Sequence, residues 1–116
     1  MDKEKVFEMS VSKVYPLLET KAVKKGRTPE EVAEVTCWLT GYDEASLKKQ
    51  LDENVSYRRF FAEAPQMNPN AEKITGTICG VKIQEIEDPL MKQIRWLDKL
   101  VDELAKGKAM DKILRK

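Results

Sequence analysis

Apolar residues recur along this chain at three- and four-residue intervals, and most such runs are bounded by a helix start or stop signal. The longest is Leu90, Ile94, Leu97, Val101 and Leu104. With Leu100 and Ala105 alongside, it predicts a helix from Pro89 to Lys106 with one broad apolar face. That face packs on the domain's own other helices in one reading and forms a dimer seam in the other. Two heptads are too few for a coiled coil to follow from period alone. Trp96 lies at the edge of the stripe, where it either closes the core or marks an interface.

Shorter runs fill the rest of the chain. A helix is predicted from Ser12 to Lys25, with Val14, Leu18 and Ala22 on one face and Pro16 tolerated in its first turn. Others follow over Pro29 to Thr40 and over Glu44 to Asp52, where Leu47 and Leu51 stand one turn apart. A further helix from Tyr57 to Ala64 is opened by Ser56, with Val55 and Phe60 as a hydrophobic staple, and closed by Pro65. Pro69 to Cys79 places Ala71, Ile74 and Ile78 together. Val81-Lys82-Ile83 alternates like a short strand, and Val6 to Val11 is its candidate partner.

The punctuation supports these boundaries. Thr28-Pro29, Asn68-Pro69 and Asp88-Pro89 each set a capping residue before a proline, which is harmless at the first helical position because that N–H has no partner anyway. Thr28-Pro29-Glu30-Glu31 is also a capping box. Gly26, Gly41, Gly80 and Gly107 follow periodic segments, where a left-handed residue ends a helix, while Gly76 sits inside one. The expected fold is mainly α: a single domain over residues 1–116, a compact bundle of five to six helices with room for one short two-stranded β ribbon.

Composition narrows the function classes. Charged residues make up 35% of the chain and hydrophobic ones 41%, with a net charge of +1, so no global field favours a polyanion. The charged start from Met1 to Lys5 leads into no apolar run of signal-peptide length, and no stretch is long and apolar enough for a membrane span. A cytoplasmic protein is expected, without a membrane role. The absence of histidine removes the commonest general base and the commonest transition-metal ligand. Cys37 and Cys79 stand apart, as thiols do in a reducing compartment. No cofactor or metal is expected.

The remaining chemistry has paired readings. By helical period Cys37 lies about 140° from Val32, which makes it the best nucleophile candidate, although only Lys and carboxylates are available to activate it. Glu85, Glu87 and Asp88 could bind a hard cation, or serve a helix N-terminus with Asp88 as its cap. Lys106, Lys108, Lys112, Arg115 and Lys116 form a basic tail against Asp111 alone, and Lys21, Lys24, Lys25 and Arg27 form a second cluster. Together they would make a phosphate-binding patch; separately they complement helix C-terminal dipoles. Trp38 and Tyr42, at the end of the Pro29 helix, are residue types enriched at binding hot spots, and they could equally cap the core. Met67-Asn68-Pro69-Asn70 could present amides to a ligand or simply make a turn.

Several runs carry a resemblance. They are Val14-Tyr15-Pro16, Lys25-Gly26-Arg27-Thr28, Trp38-Leu39-Thr40-Gly41-Tyr42, Ala64-Pro65, Met67-Asn68-Pro69-Asn70, Ile78-Cys79-Gly80-Val81 and Glu85-Ile86-Glu87-Asp88-Pro89-Leu90-Met91. With the closing Leu97-Asp98-Lys99-Leu100-Val101-Asp102-Glu103-Leu104-Ala105-Lys106-Gly107-Lys108, the chain resembles the bacterial family known as domain of unknown function 2200. The resemblance spans nearly the whole chain and implies a small bacterial cytosolic protein, but it carries no reaction, ligand or catalytic residue. The favoured expectation is a non-enzymatic module that binds a protein partner or itself through the loop of Trp38 and Tyr42 or through the Trp96 edge. The alternative is a nucleic-acid accessory protein using the basic C-terminus, and a histidine-free enzyme is third.

Overall fold

The computed structural model describes residues 3–78 and 80–115. Its centre is α6 (Pro89–Ala105), whose amphipathic face is broad enough to be covered by several neighbours at once. Asp88 opens it, its carboxylate accepting from the Met91 amide at 3.0 Å. Leu97, Leu100 and Leu104 are fully buried along the predicted stripe. Burial of each contributes about 2 kcal/mol.

Around it pack α2 (Val11–Val23), α3 (Pro29–Thr40), α5 (Tyr57–Ala62) and the short α1 (Lys3–Phe7) and α7 (Met110–Ile113). The remaining helix, α4 (Glu44–Asp52), lies against α2 and α3. The Thr28 capping box forms as expected, with the Glu31 amide donating to Thr28 Oγ1 at 3.2 Å and the Thr28 amide donating to Glu31 Oε1 at 3.0 Å. Asp43 and Ser46 make a second box at the start of α4. The core runs from Phe7 through Val32, Val35, Leu39 and Phe60 to Ile113. The mainly helical architecture with one two-stranded sheet therefore matches the expectation, with α1 and α7 added at the two ends.

Three local expectations are corrected. The ribbon is a hairpin of β1 (Thr77–Ile78) and antiparallel β2 (Val81–Lys82), with Thr77 opposite Lys82. Val81 pairs with this nearby segment because the loop closing it is short. Val6 to Val11 instead spans the end of α1 and the start of α2, and its extended residues meet another part of the chain. There the Val11 amide donates to Val55 O at 2.9 Å and the Tyr57 amide to Met9 O at 3.0 Å.

The segment from Pro69 is a 3₁₀ turn only to Lys73. Gly76, at φ +108°, leaves the helical region, and its carbonyl accepts from the Ile83 amide at 2.9 Å. Cys79 lies outside the described residues. Finally, Pro16 sits in the second turn of α2, where no amide is available for the Ser12 carbonyl.

Candidate functional site

The inner face of α3 is spent on the core. Val32, Val35 and Leu39 are fully buried, and the buried hydroxyls of Thr36 and Thr40 donate to Val32 O and Thr36 O, both at 2.8 Å, so neither is orphaned. Its outer face carries Glu30, Ala33, Glu34 and Cys37 at helical spacing, and these line two adjoining hollows. One, of about 300 Å³, has Tyr15, Pro29, Ala33, Leu47 and Leu51 in its wall with Glu19, Glu30, Glu44 and Lys48 around them. The other, of about 410 Å³, shares Glu30, Ala33 and Glu44 and adds Glu34, Cys37 and Asp43.

The result is an apolar groove between α2, α3 and α4 surrounded mostly by carboxylates. Glu19, Glu30, Glu34 and Glu44 make no ion pair among the described residues. Their field reaches the neighbouring groups. Burial pushes the Cys37 thiol up, and the nearby Glu44 and Asp43 push in the same direction. Tyr15 is pushed up to about 12, chiefly by burial and then by Glu19. Cys37 is therefore held protonated, the reverse of what an activated nucleophile requires.

The three aromatic candidates separate in the fold. Tyr42 is buried, its hydroxyl donating to Phe60 O at 2.6 Å and its ring 4.9 Å from that of Phe60. Trp96 is 7% exposed with Lys92 Nζ 5.7 Å from its ring centre, and its indole N–H has no hydrogen-bond partner among the described residues. Trp38 alone of the three is half-buried. It lines a third hollow of about 410 Å³ with Gly41, Pro65, Gln66, Asn68 and Pro69, one residue on from Cys37. That hollow is firmly built: the Gln66 amide donates to Thr40 O at 3.1 Å and the Asn68 amide to Leu39 O at 2.9 Å.

The two basic clusters do meet. Lys21 on α2 reaches Asp102 on α6 at 3.3 Å, and Arg27 donates to the Lys108 carbonyl at 2.7 Å. Several of these cations are engaged internally. Arg115 turns inward to Glu103 through two 2.7 Å bonds, and Lys108 joins the same carboxylate at 3.2 Å. Lys106 forms an ion pair with Asp102 at 3.1 Å, whereas Lys112 is exposed. Lys116 lies outside the described residues.

Glu85 and Glu87 line a hollow of about 470 Å³ with Val6, Ile86, Met91 and Arg95. Among the described residues no three acidic or thiol side chains converge as a metal site needs. Asn68 caps its own turn by accepting from the Asn70 amide at 2.8 Å, and Asn70 donates to Arg115 O at 3.2 Å.

The carboxylates around the groove were not singled out by sequence reasoning. Helical period would put Glu30, Ala33, Glu34 and Cys37 on one outer stripe, a signal that sequence reasoning left unread, whereas Glu19 and Glu44 join it only through the packing of α2 and α4.

No curated protein matches this chain. The crystal structure of uncharacterized protein SP1917 is similar to it throughout, with a TM-score of 0.91 and 48% sequence identity, covering 98% of this chain and 93% of that one. The family model described as "Uncharacterized protein conserved in bacteria (DUF2200)" matches residues 5–115, the same span over which the capped helices and the hairpin are laid out, and the chain therefore belongs to that family.

Proposed function

We propose that the protein is a non-enzymatic interaction module whose docking face runs along the outer side of α3, from Glu30 past Cys37 to Trp38. The occupant is a lysine- or arginine-rich amphipathic segment of a partner protein. One observation carries this reading: an apolar groove flanked by four carboxylates, none of them in an ion pair among the described residues, with Lys48 the one cation in its lining. Apolar side chains of the partner would enter between α3 and α4 while its cations meet Glu19, Glu30, Glu34 and Glu44, and charge complementarity of this kind sets both encounter rate and register. Trp38 supplies a half-buried ring at one end, the residue type that most often dominates such contacts.

The test compares capture by the wild type with capture by Trp38→Ala and by the double variant Glu30→Lys, Glu34→Lys, each checked for unchanged circular dichroism. A retained partner whose contacting segment is basic, weakened by about 2 kcal/mol on loss of Trp38 and lost on charge reversal, is the expected result. A partner held equally by all three proteins would refute the assignment of this face.

A further inference from the structure

A second feature, away from the α3 groove, is an excess of positive charge around one carboxylate. Lys21 Nζ stands 3.3 Å from Asp102 Oδ1, while Lys106 Nζ and Lys99 Nζ stand 3.1 and 3.7 Å from Oδ2. Three ammonium groups thus share one negative charge. Lys99 and Asp102 are each only 13% exposed, so the cluster is set into the surface, whereas Lys21 and Lys106 are 44% and 68% exposed and form its open side.

Lys99 is held in place by the hairpin entry. Its ammonium donates to Thr77 O at 3.4 Å and lies over Gly76, where a Cβ would approach Nζ to 3.4 Å. Asp102 itself is held below the usual carboxylate range: burial opposes its ionisation, but Lys106 and Lys21 together outweigh that.

The ordinary explanation for cations here is the pair of helix C-termini, since α2 and α6 both end at this place. Each contributes about half a negative charge, so the two ends and Asp102 together balance about two of the three ammonium groups. Lys24 and Lys25, exposed and without an ion pair among the described residues, follow at the end of α2, which Lys21 and Arg27 tie to the end of α6. The neighbouring Arg95–Asp98 pair, at 3.1 Å, is neutral as a unit and leaves the excess standing.

We propose that the Lys21, Lys99 and Lys106 cluster is a binding site for a phosphate group, with Lys99 the fixed donor and Lys21 and Lys106 the mobile ones that turn from Asp102 onto the ligand. The phosphate could belong to a small phosphorylated compound or to a nucleic-acid backbone. The chemistry is the same, a tetrahedral oxyanion received by convergent ammonium donors.

The test is a titration of the full chain, followed by amide chemical shifts at constant ionic strength set with chloride. Inorganic phosphate and pyrophosphate are used in one arm and a short unphosphorylated single-stranded oligonucleotide in the other. Shifts centred on Lys21, Gly76, Thr77, Lys99 and Lys106 are expected.

The variants should move affinity in opposite directions. Lys106→Gln, at an exposed position, weakens binding several-fold, whereas Asp102→Asn, which removes the competing anion, tightens it roughly tenfold. Asp102→Asn also lowers the melting temperature in chloride, and phosphate restores it by linkage. Binding of phosphate or pyrophosphate alone assigns a small phosphorylated ligand, and oligonucleotide binding that phosphate competes away assigns a backbone. The site is overturned if neither arm shifts these amides at tens of millimolar ligand, or if both variants change affinity in the same direction.

Discussion

Gly41 is the residue where backbone conformation and close packing coincide. Its φ of +83° ends α3, and a Cβ there would fall 2.8 Å from both N and O of Gln66, backbone atoms that have no room to yield. At Gly26, φ is +85° but nothing lies within 4 Å of a Cβ. Gly26→Ala is therefore expected to cost about 1 kcal/mol, the left-handed penalty alone, and Gly41→Ala at least about 1 kcal/mol more from the clash. Urea denaturation of the two variants checks this, and equal midpoints would contradict it.

Cys37 belongs to the same scale. With its thiol pushed up by burial and by Glu44 and Asp43, it should react with a mild disulfide probe at neutral pH more slowly than a free thiol. The reaction can be read by peptide mapping of the labelled residue. Faster labelling would revive the enzymatic reading. The glycine's position after a periodic segment was legible in the sequence, because a helix end is a local event. The close approach of Gln66 was not, since it depends on how the 65–69 segment folds back over α3.

Among the elements, α7 shows most plainly how local signals can mislead about role. As sequence, residues 106–116 form a basic tail. In the fold Ile113 is fully buried, and Arg115 and Lys108 converge on Glu103, whose side chain is 8% exposed. A lone buried carboxylate four residues before Gly107 carries no sequence signature, so the clamp was invisible there. Glu103→Gln keeps the volume but leaves Arg115 without a charged partner, and the expected loss is about 3 kcal/mol. It would be measured as a fall in the denaturation midpoint with early hydrogen exchange in α7. A loss below about 1 kcal/mol would mean the pair behaves like an exposed one. Deleting residues 108–116 would remove Ile113 as well, so single charge substitutions are the sounder probe of the basic end.

Across the whole molecule, near-neutral net charge conceals a division: carboxylates border the α3 groove, and lysines gather where α2 and α6 end. Titration should also be a property of the whole fold. Burial leads the upward shift of each tyrosine, raising Tyr15 and Tyr42 to about 12 and Tyr57 further still. A phenol raised above its unfolded value near 10 contributes stability that is complete below about pH 10 and is lost as pH climbs toward about 12. Phenolate absorbance and loss of circular dichroism should therefore rise together over that interval. A tyrosine that ionises near pH 10 with the fold intact would contradict its burial. On the acid side the signs differ. Asp102 is depressed, and its contribution disappears as pH falls through its folded value, whereas Asp98, raised by burial more than Arg95 offsets, acts in the opposite direction.

Helix periods, capping boxes, prolines at first helical positions and the amphipathic stripe of α6 depend on residues within a few places of one another, and these the sequence determined by itself. So it was with α3, α4 and the start of α6. What the tertiary structure decided were relations between distant residues: the burial of Tyr42 on Phe60, the meeting of Lys21 with Asp102, the turn of Arg115 toward Glu103, and the joining of Glu19 and Glu44 to the α3 groove. Each depends on which helix faces close on one another. That choice is made by the summed burial of many apolar side chains, which no local pattern specifies.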